Sequence, residues 1–234
     1  MNSGGGEMGS VEELEGQLRL ANLAEKLIIY RFKVAIATLN LVLAVAALIV
    51  VMLLFSRIPL IVTWVSGLPG QVSLIIIYAA YLAVPVAALF AIAGLLVGKV
   101  YAKSFSPLLS IAKEGRGDVR RRLHIAPLVA YTLPFVALYA VHPAPYWESY
   151  AWYISLLIAS ALMHLLYERP LNEAVEKLHC RVYMAQAALM AAFLPFILAA
   201  STSYASAADA SLLAYLASNL LATLQEIYSA EREL

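Results

Sequence analysis

Long apolar runs, separated by short polar connectors, dominate this chain. The runs cover about 34–55, 72–101, 123–141, 150–167, 182–203 and 210–228. As a helix, at about 1.5 Å rise per residue, each run is long enough to cross a hydrocarbon layer of about 30 Å. The runs are apolar on all sides and show no two-residue alternation, which selects helices over barrel strands. The pattern therefore predicts an all-α polytopic membrane bundle of six transmembrane helices.

Ahead of the first run the pattern changes. Residues 1–9 have the composition of a flexible tail, and residues 10–32 read as an amphipathic helix. Ser10 and Glu13 have the spacing of a capping box at its start. Leu14, Leu18, Ala21 and Ile28 share one side, widened by Leu20, Leu23 and Leu27, while Glu12, Glu15, Arg19 and Lys26 face away. Such a helix lies on a membrane surface or packs against the protein's own loops. Residues 33–234 then form the membrane domain.

The connectors carry the helix breakers. Gly67, Pro69 and Gly70 interrupt the chain after the first run, and Pro85, Pro127, Pro134 and Pro195 sit within later ones. Between Lys99 and His124 lies a basic connector, in which Ser106-Pro107 opens a short helix, Pro107–Lys113, before a turn at Gly115–Asp118. A shift of 61 residues lays Arg120 on Arg181, Leu133-Pro134-Phe135 on Leu194-Pro195-Phe196, and Tyr167 on Tyr228. The third-fourth and fifth-sixth runs read either as duplicated hairpins or as a coincidence between Ala- and Leu-rich helices.

Composition agrees with the pattern. The chain of 234 residues is 63% hydrophobic and 13% charged, with a mean hydropathy of +0.81. A soluble core of this length could not bury so much apolar surface. Charge supplies orientation: with alternating spans and the N-terminus inside, all sixteen basic residues except Arg57 fall on the inner side. Both termini are then cytoplasmic, in the plasma membrane of a prokaryote. The single Cys180 excludes an internal disulfide.

Candidate chemistry is sparse. No Asp, Glu, Lys or Arg lies near the middle of a run, so proton coupling through buried carboxylates is not expected. Asn40, Thr132, Gln186 and Asn219 are either a polar path or interhelical hydrogen-bonding groups. His124, His164 and His179 fall toward the inner face, where they would hold a haem or a quinone in a redox anchor. No metal-ligand or nucleophile pattern is present, and no cofactor is expected otherwise.

Small residues form stripes suited to helix pairing: Gly94 with Gly98, and Ala210, Ala214, Ser218 and Ala222. Arg120, Arg121 and Arg122 anchor a span and meet anionic lipid headgroups. Together with Pro107, Lys113 and Arg116 they also offer a docking surface for a cytosolic protein partner; nucleic acid is not directly indicated. The expected role is a non-enzymatic, permease- or channel-like subunit of a multi-protein transport or secretion machine. The alternatives are a redox anchor and a membrane scaffold.

Overall fold

The computed structural model describes residues 6–65, 69, 72, 91, 95, 102–111, 116–139, 141, 144 and 146–234, with the side chains of 6–12, 43, 46–65, 102, 116–124, 139 and 148 outside that description. Helices make up the fold, and no strand occurs among the described residues. In chain order they are α1 (Gly6–Val65), α2 (Ala102–Ile111), α3 (Arg116–Tyr139), α4 (Trp147–Met163), a π-helical turn (His164–Glu168), α5 (Arg169–Ala174), α6 (Val182–Ala200) and α7 (Tyr204–Glu233).

Three helices are long and apolar enough to cross a membrane among the described residues: Ser149–Ala174, Val182–Ala200 and Tyr204–Glu233. A shorter apolar helix covers Ile125–Leu138. These correspond to the last four expected spans. The expected span at 72–101 lies almost wholly outside the described residues. The expected interfacial helix at 10–32 and span at 34–55 are parts of one helix, α1. No Gly or Pro stands between Gly16 and Pro59 to break it, and helix propagation costs little once a helix is nucleated. Ser10 consequently lies inside α1 and does not cap it.

The burial pattern is that of a membrane bundle. On α7 the buried face is Ala207, Ala210, Ser211, Ala214, Ser218, Asn219, Ala222 and Thr223, whereas Leu213, Leu220, Leu221 and Leu224 are exposed. α3 repeats this arrangement, with Ala126 and Ala130 buried and Leu128, Leu133 and Val136 exposed. In water such an arrangement would waste the hydrophobic effect. In lipid, small residues let helices approach closely and large apolar ones face the acyl chains.

α1 and α7 run antiparallel in one register. Asn40 Nδ2 donates to Asn219 Oδ1 at 3.2 Å, Thr223 Oγ1 to the Ala37 carbonyl at 3.3 Å, and Lys26 Nζ to the Leu234 carbonyl at 3.2 Å. α1 therefore enters the bundle at the end where α7 leaves it. The opposite end is lined with aromatics: Trp147 packs edge-on against Tyr150, and Trp152 against Tyr215. α3 with α4, and α6 with α7, form adjacent hairpins. The 61-residue offset carries Tyr139, the last residue of α3, onto Ala200, the last of α6. A capping box begins α7: Ser203 Oγ accepts from the Ser206 amide, and Ser206 Oγ accepts from the Ser203 amide.

A candidate functional site where α1 meets α7

Pro170 shapes the helix that leads into this site. It has no amide hydrogen, and its ring crowds the carbonyl four residues earlier, that of Leu166. The helix widens there into the π turn His164–Glu168. Such turns carry one residue too many for α geometry and re-aim a side chain. Here the re-aimed residue is Glu168, which is fully buried.

Glu168 Oε1 accepts from the Tyr183 amide at 2.6 Å, and Oε2 accepts from the Met184 amide at 3.2 Å and lies 2.9 Å from His164 Nδ1. Tyr183 and Met184 belong to the first turn of α6, whose own N-terminal residue, Arg181, supplies no side-chain cap. Glu168 thus caps another helix, satisfying two unpaired amides and facing the positive end of its dipole. Glu226 of α7 takes the neighbouring amide, with Oε2 accepting from Arg181 N–H at 3.0 Å.

Between the two carboxylates sits Cys180. Its backbone is held by Asn172, whose Nδ2 donates to the Cys180 carbonyl at 2.8 Å and whose Oδ1 accepts from its amide at 3.0 Å. The thiol is fully buried, with Sγ 3.8 Å from Glu168 Oε1. Burial pushes the Cys180 thiol well above its ordinary value, and the charges of Glu226 and Glu168 push it further. Cys180 is therefore a neutral thiol.

Lys33 completes the cluster from α1. Its side chain is fully buried, and Nζ bonds both carboxylate oxygens of Glu233, at 2.8 and 2.7 Å. Glu226 Oε1 lies 3.9 Å away. A buried cluster of carboxylates is costly to build, and ionisable groups buried in membrane helices mark function by default. The arrangement can hold charge and exchange protons, and it locks α1, the π turn, α6 and α7 together.

Beyond this cluster α1 continues alone. Every residue from Glu13 to Ala24 is exposed, including Leu14, Leu18, Leu20 and Leu23. A side chain added at Gly16 would meet open space. The last ties to the bundle are Lys177 Nζ to Glu25 Oε2 at 2.7 Å and the Lys26 bond to Leu234. α2 packs beside α1 at the next level inward, with Phe105 against Phe32.

Some residues expected from sequence converge. Asn40 and Asn219 bond each other, and Ala210, Ala214, Ser218 and Ala222 form a buried stripe. Gln186 is buried too, with its side-chain oxygen unpartnered. Thr132 is exposed on α3, away from that polar line. Of the histidines, His164 is engaged by Glu168, His179 is exposed in the connector, and the His124 side chain lies outside the described residues. Pro107 is exposed inside α2, which begins five residues earlier than expected. Arg116, Arg120, Arg121 and Arg122 begin α3, with their side chains outside the described residues, as are Lys113, Gly94 and Gly98 altogether.

The runs place no carboxylate near their middles, yet Glu168 and Glu226, at the ends of two of them, are both buried. By hydropathy Glu168 falls in the connector after the 150–167 run, because the π turn that draws it inward is invisible to a helical repeat. Glu226 did leave a signal, being the only acid between Ala210 and Tyr228. Among the described residues no three His, Cys, Asp or Glu are disposed to hold a metal ion. The chain matches no family model, no curated protein and no solved structure.

Proposed function

We propose that this protein is a non-enzymatic membrane subunit of a multi-protein transport or secretion machine, permease- or channel-like in form. In this reading six helices span the plasma membrane of a prokaryote, with both termini cytoplasmic. The observation that carries it is the free arm of α1. A leucine-bearing helix continuous with the core leaves the bundle bare from Glu13 to Ala24, over about 18 Å at 1.5 Å per residue. Exposed apolar stripes of this kind mark surfaces that another molecule covers. The helix-in-groove mode, with anchors three or four residues apart, suits it.

The arm's charge favours a protein over a lipid surface. Glu7, Glu12, Glu13 and Glu15 outnumber Arg19, and an acidic helix is repelled by the anionic cytoplasmic leaflet. Lys103, Ser106 and Pro107 are exposed on α2, which packs against α1 through Phe105 and Phe32. Site-specific photocrosslinkers at Leu18 and Leu23, activated in native membranes, test the reading. The expected result is a discrete adduct with a second protein, lost when Glu12, Glu13 and Glu15 are changed to Lys. Adducts with lipid alone, together with a protein that extracts gently as a lone chain, would overturn it.

A further inference from the structure

Glu226 is a buried carboxylate with one oxygen left over. The residue is 3% exposed, and Oε2 is engaged by the Arg181 amide, but Oε1 has no hydrogen-bond partner. Lys33 Nζ stands 3.9 Å from Oε1, beyond hydrogen-bond reach, and is turned instead to both oxygens of Glu233. One turn further along α6, Gln186 is likewise 3% exposed with Oε1 unpartnered. Both unpartnered atoms are acceptors, and the donor that stands beside Glu226 besides Lys33 and the Arg181 amide is the weak Cys180 thiol.

The charges point the same way. Glu226 faces Lys33 on α1, Cys180 and the Arg181 amide on the connector, and Glu233 on its own helix. Glu168 adds its charge from the far side of Cys180 and is answered by His164 and two amides. Lys33 is the one buried ammonium among these carboxylates, and Glu233 already takes it. With Glu226 and Glu233 both ionised, the single Lys33 ammonium is shared unequally, at 2.7 Å from Glu233 and 3.9 Å from Glu226, and an incompletely compensated buried charge is unfavourable. A metal ion is a poor candidate for the missing charge, since no three ligating side chains among the described residues are disposed to hold one.

We propose that Glu226 Oε1 is a proton-binding site inside the bundle, filled and emptied through Lys33 and Glu233. Glu233 is the gate to solvent, its side chain 38% exposed. In the transfer Lys33 Nζ gives one proton to Glu226 Oε1 and takes one back from protonated Glu233. One O–H bond forms and one breaks, and no electrons move. The step requires the 3.9 Å gap to close by about 1 Å to hydrogen-bond distance. The site stands independently of the docking arm.

Infrared spectra of the full chain in phosphatidylcholine vesicles, recorded across pH in light and heavy water, test it. The expected result is a carboxylic-acid carbonyl band at neutral pH that shifts in heavy water. It should be absent from Glu226→Gln and retained in Glu173→Gln, which removes an exposed carboxyl. Gln keeps an acceptor for the Arg181 amide, and Glu226→Asp serves as a second variant, expected to keep the band at a shifted frequency. A wild-type spectrum without the band, or a band unchanged in Glu226→Gln, overturns the proposal. So does a sodium-dependent rise in thermal stability that Glu226→Gln abolishes, which would assign the site to a metal cation.

Discussion

Lys33 and Glu226 face each other across the α1–α7 interface with 3.9 Å between ammonium nitrogen and carboxylate oxygen, while Lys33 holds Glu233 at 2.7 Å. The two partners of Lys33 differ in their access to water, so the costs of breaking the cluster are unequal. Glu233→Ala leaves a fully buried ammonium with only Glu226, at 3.9 Å, to turn to and should cost about 3 kcal/mol, the low end of the range for breaking a buried pair. Lys33→Met leaves Glu233 free to turn to solvent and Glu226 free to hold a proton, and should cost about 1–2 kcal/mol, the range of a charge-assisted hydrogen bond less the screening of its exposed partner. Thermal unfolding in detergent, at about 2–4 °C per kcal/mol for a chain of this size, resolves the difference. Equal losses would contradict the arrangement.

Glu168 caps α6 from another helix, so its removal should be felt as helix-end fraying. Glu168→Ala leaves the buried Tyr183 amide and the partly buried Met184 amide unpaired and should cost about 2–3 kcal/mol. Amide exchange should accelerate at Tyr183 and Met184 before it does at Met190. Pro170→Ala touches none of these bonds, yet should also lower stability, because relaxing the π turn withdraws Glu168 from α6.

The Asn40–Asn219 bond is a modest fastener by comparison. A double-mutant cycle with Asn40→Ala and Asn219→Ala should return a coupling of about 0.6 kcal/mol, the average for such contacts within membranes. Asn219→Ala alone should cost more than Asn40→Ala, because Asn219 Nδ2 also bonds the Tyr215 carbonyl at 2.8 Å.

Cys180 should not react with maleimide in the native protein, from either side of a membrane, until the chain unfolds. Its thiol holds its proton above the ordinary thiol range, whereas in the unfolded chain it titrates near pH 8.5. Between those points the native state binds more protons than the unfolded one. The stability Cys180 contributes is thus full below about pH 8.5 and is lost as pH rises through that range, and Cys180→Ala should flatten the loss. Because it is buried, Cys180 cannot report orientation. Cysteines placed at the exposed Lys177 and Thr202, in a Cys180→Ala background, should label from the inner and outer sides respectively.

Gly16→Ala should strengthen the α1 arm without touching the bundle. Open space surrounds this position, so the gain of about 1 kcal/mol in helix propensity meets no steric cost. Slower amide exchange confined to residues near Gly16, with an unchanged unfolding midpoint, is the expected result.

Much of the fold was legible in the residues. The apolar runs from Tyr150 to Tyr228 became membrane-length helices, Ser149–Ala174 and Tyr204–Glu233 running longer than the expected 150–167 and 210–228, because helices are how a chain satisfies its backbone in lipid. The Ala210–Ala222 stripe was legible for the same reason: small residues at a spacing of four leave little choice of face. Other boundaries were not. The expected break before Lys33 required a cue that the chain does not contain, and α1 runs through it.

The amino-acid pattern by itself determined the class of molecule, the helices and the small faces on which they meet, since these follow from local periodicity and from the cost of exposing backbone to lipid. The tertiary structure alone decided the ionisable cluster. Lys33, Glu168, Cys180 and Glu226 lie on four separate segments, and each in isolation resembles an ordinary residue near a helix end. Burial and partnership are properties of packed neighbours: only the π turn before Pro170 and the antiparallel register of α1 on α7 bring them to one place. There, removal from water makes the single unpartnered oxygen of Glu226 consequential.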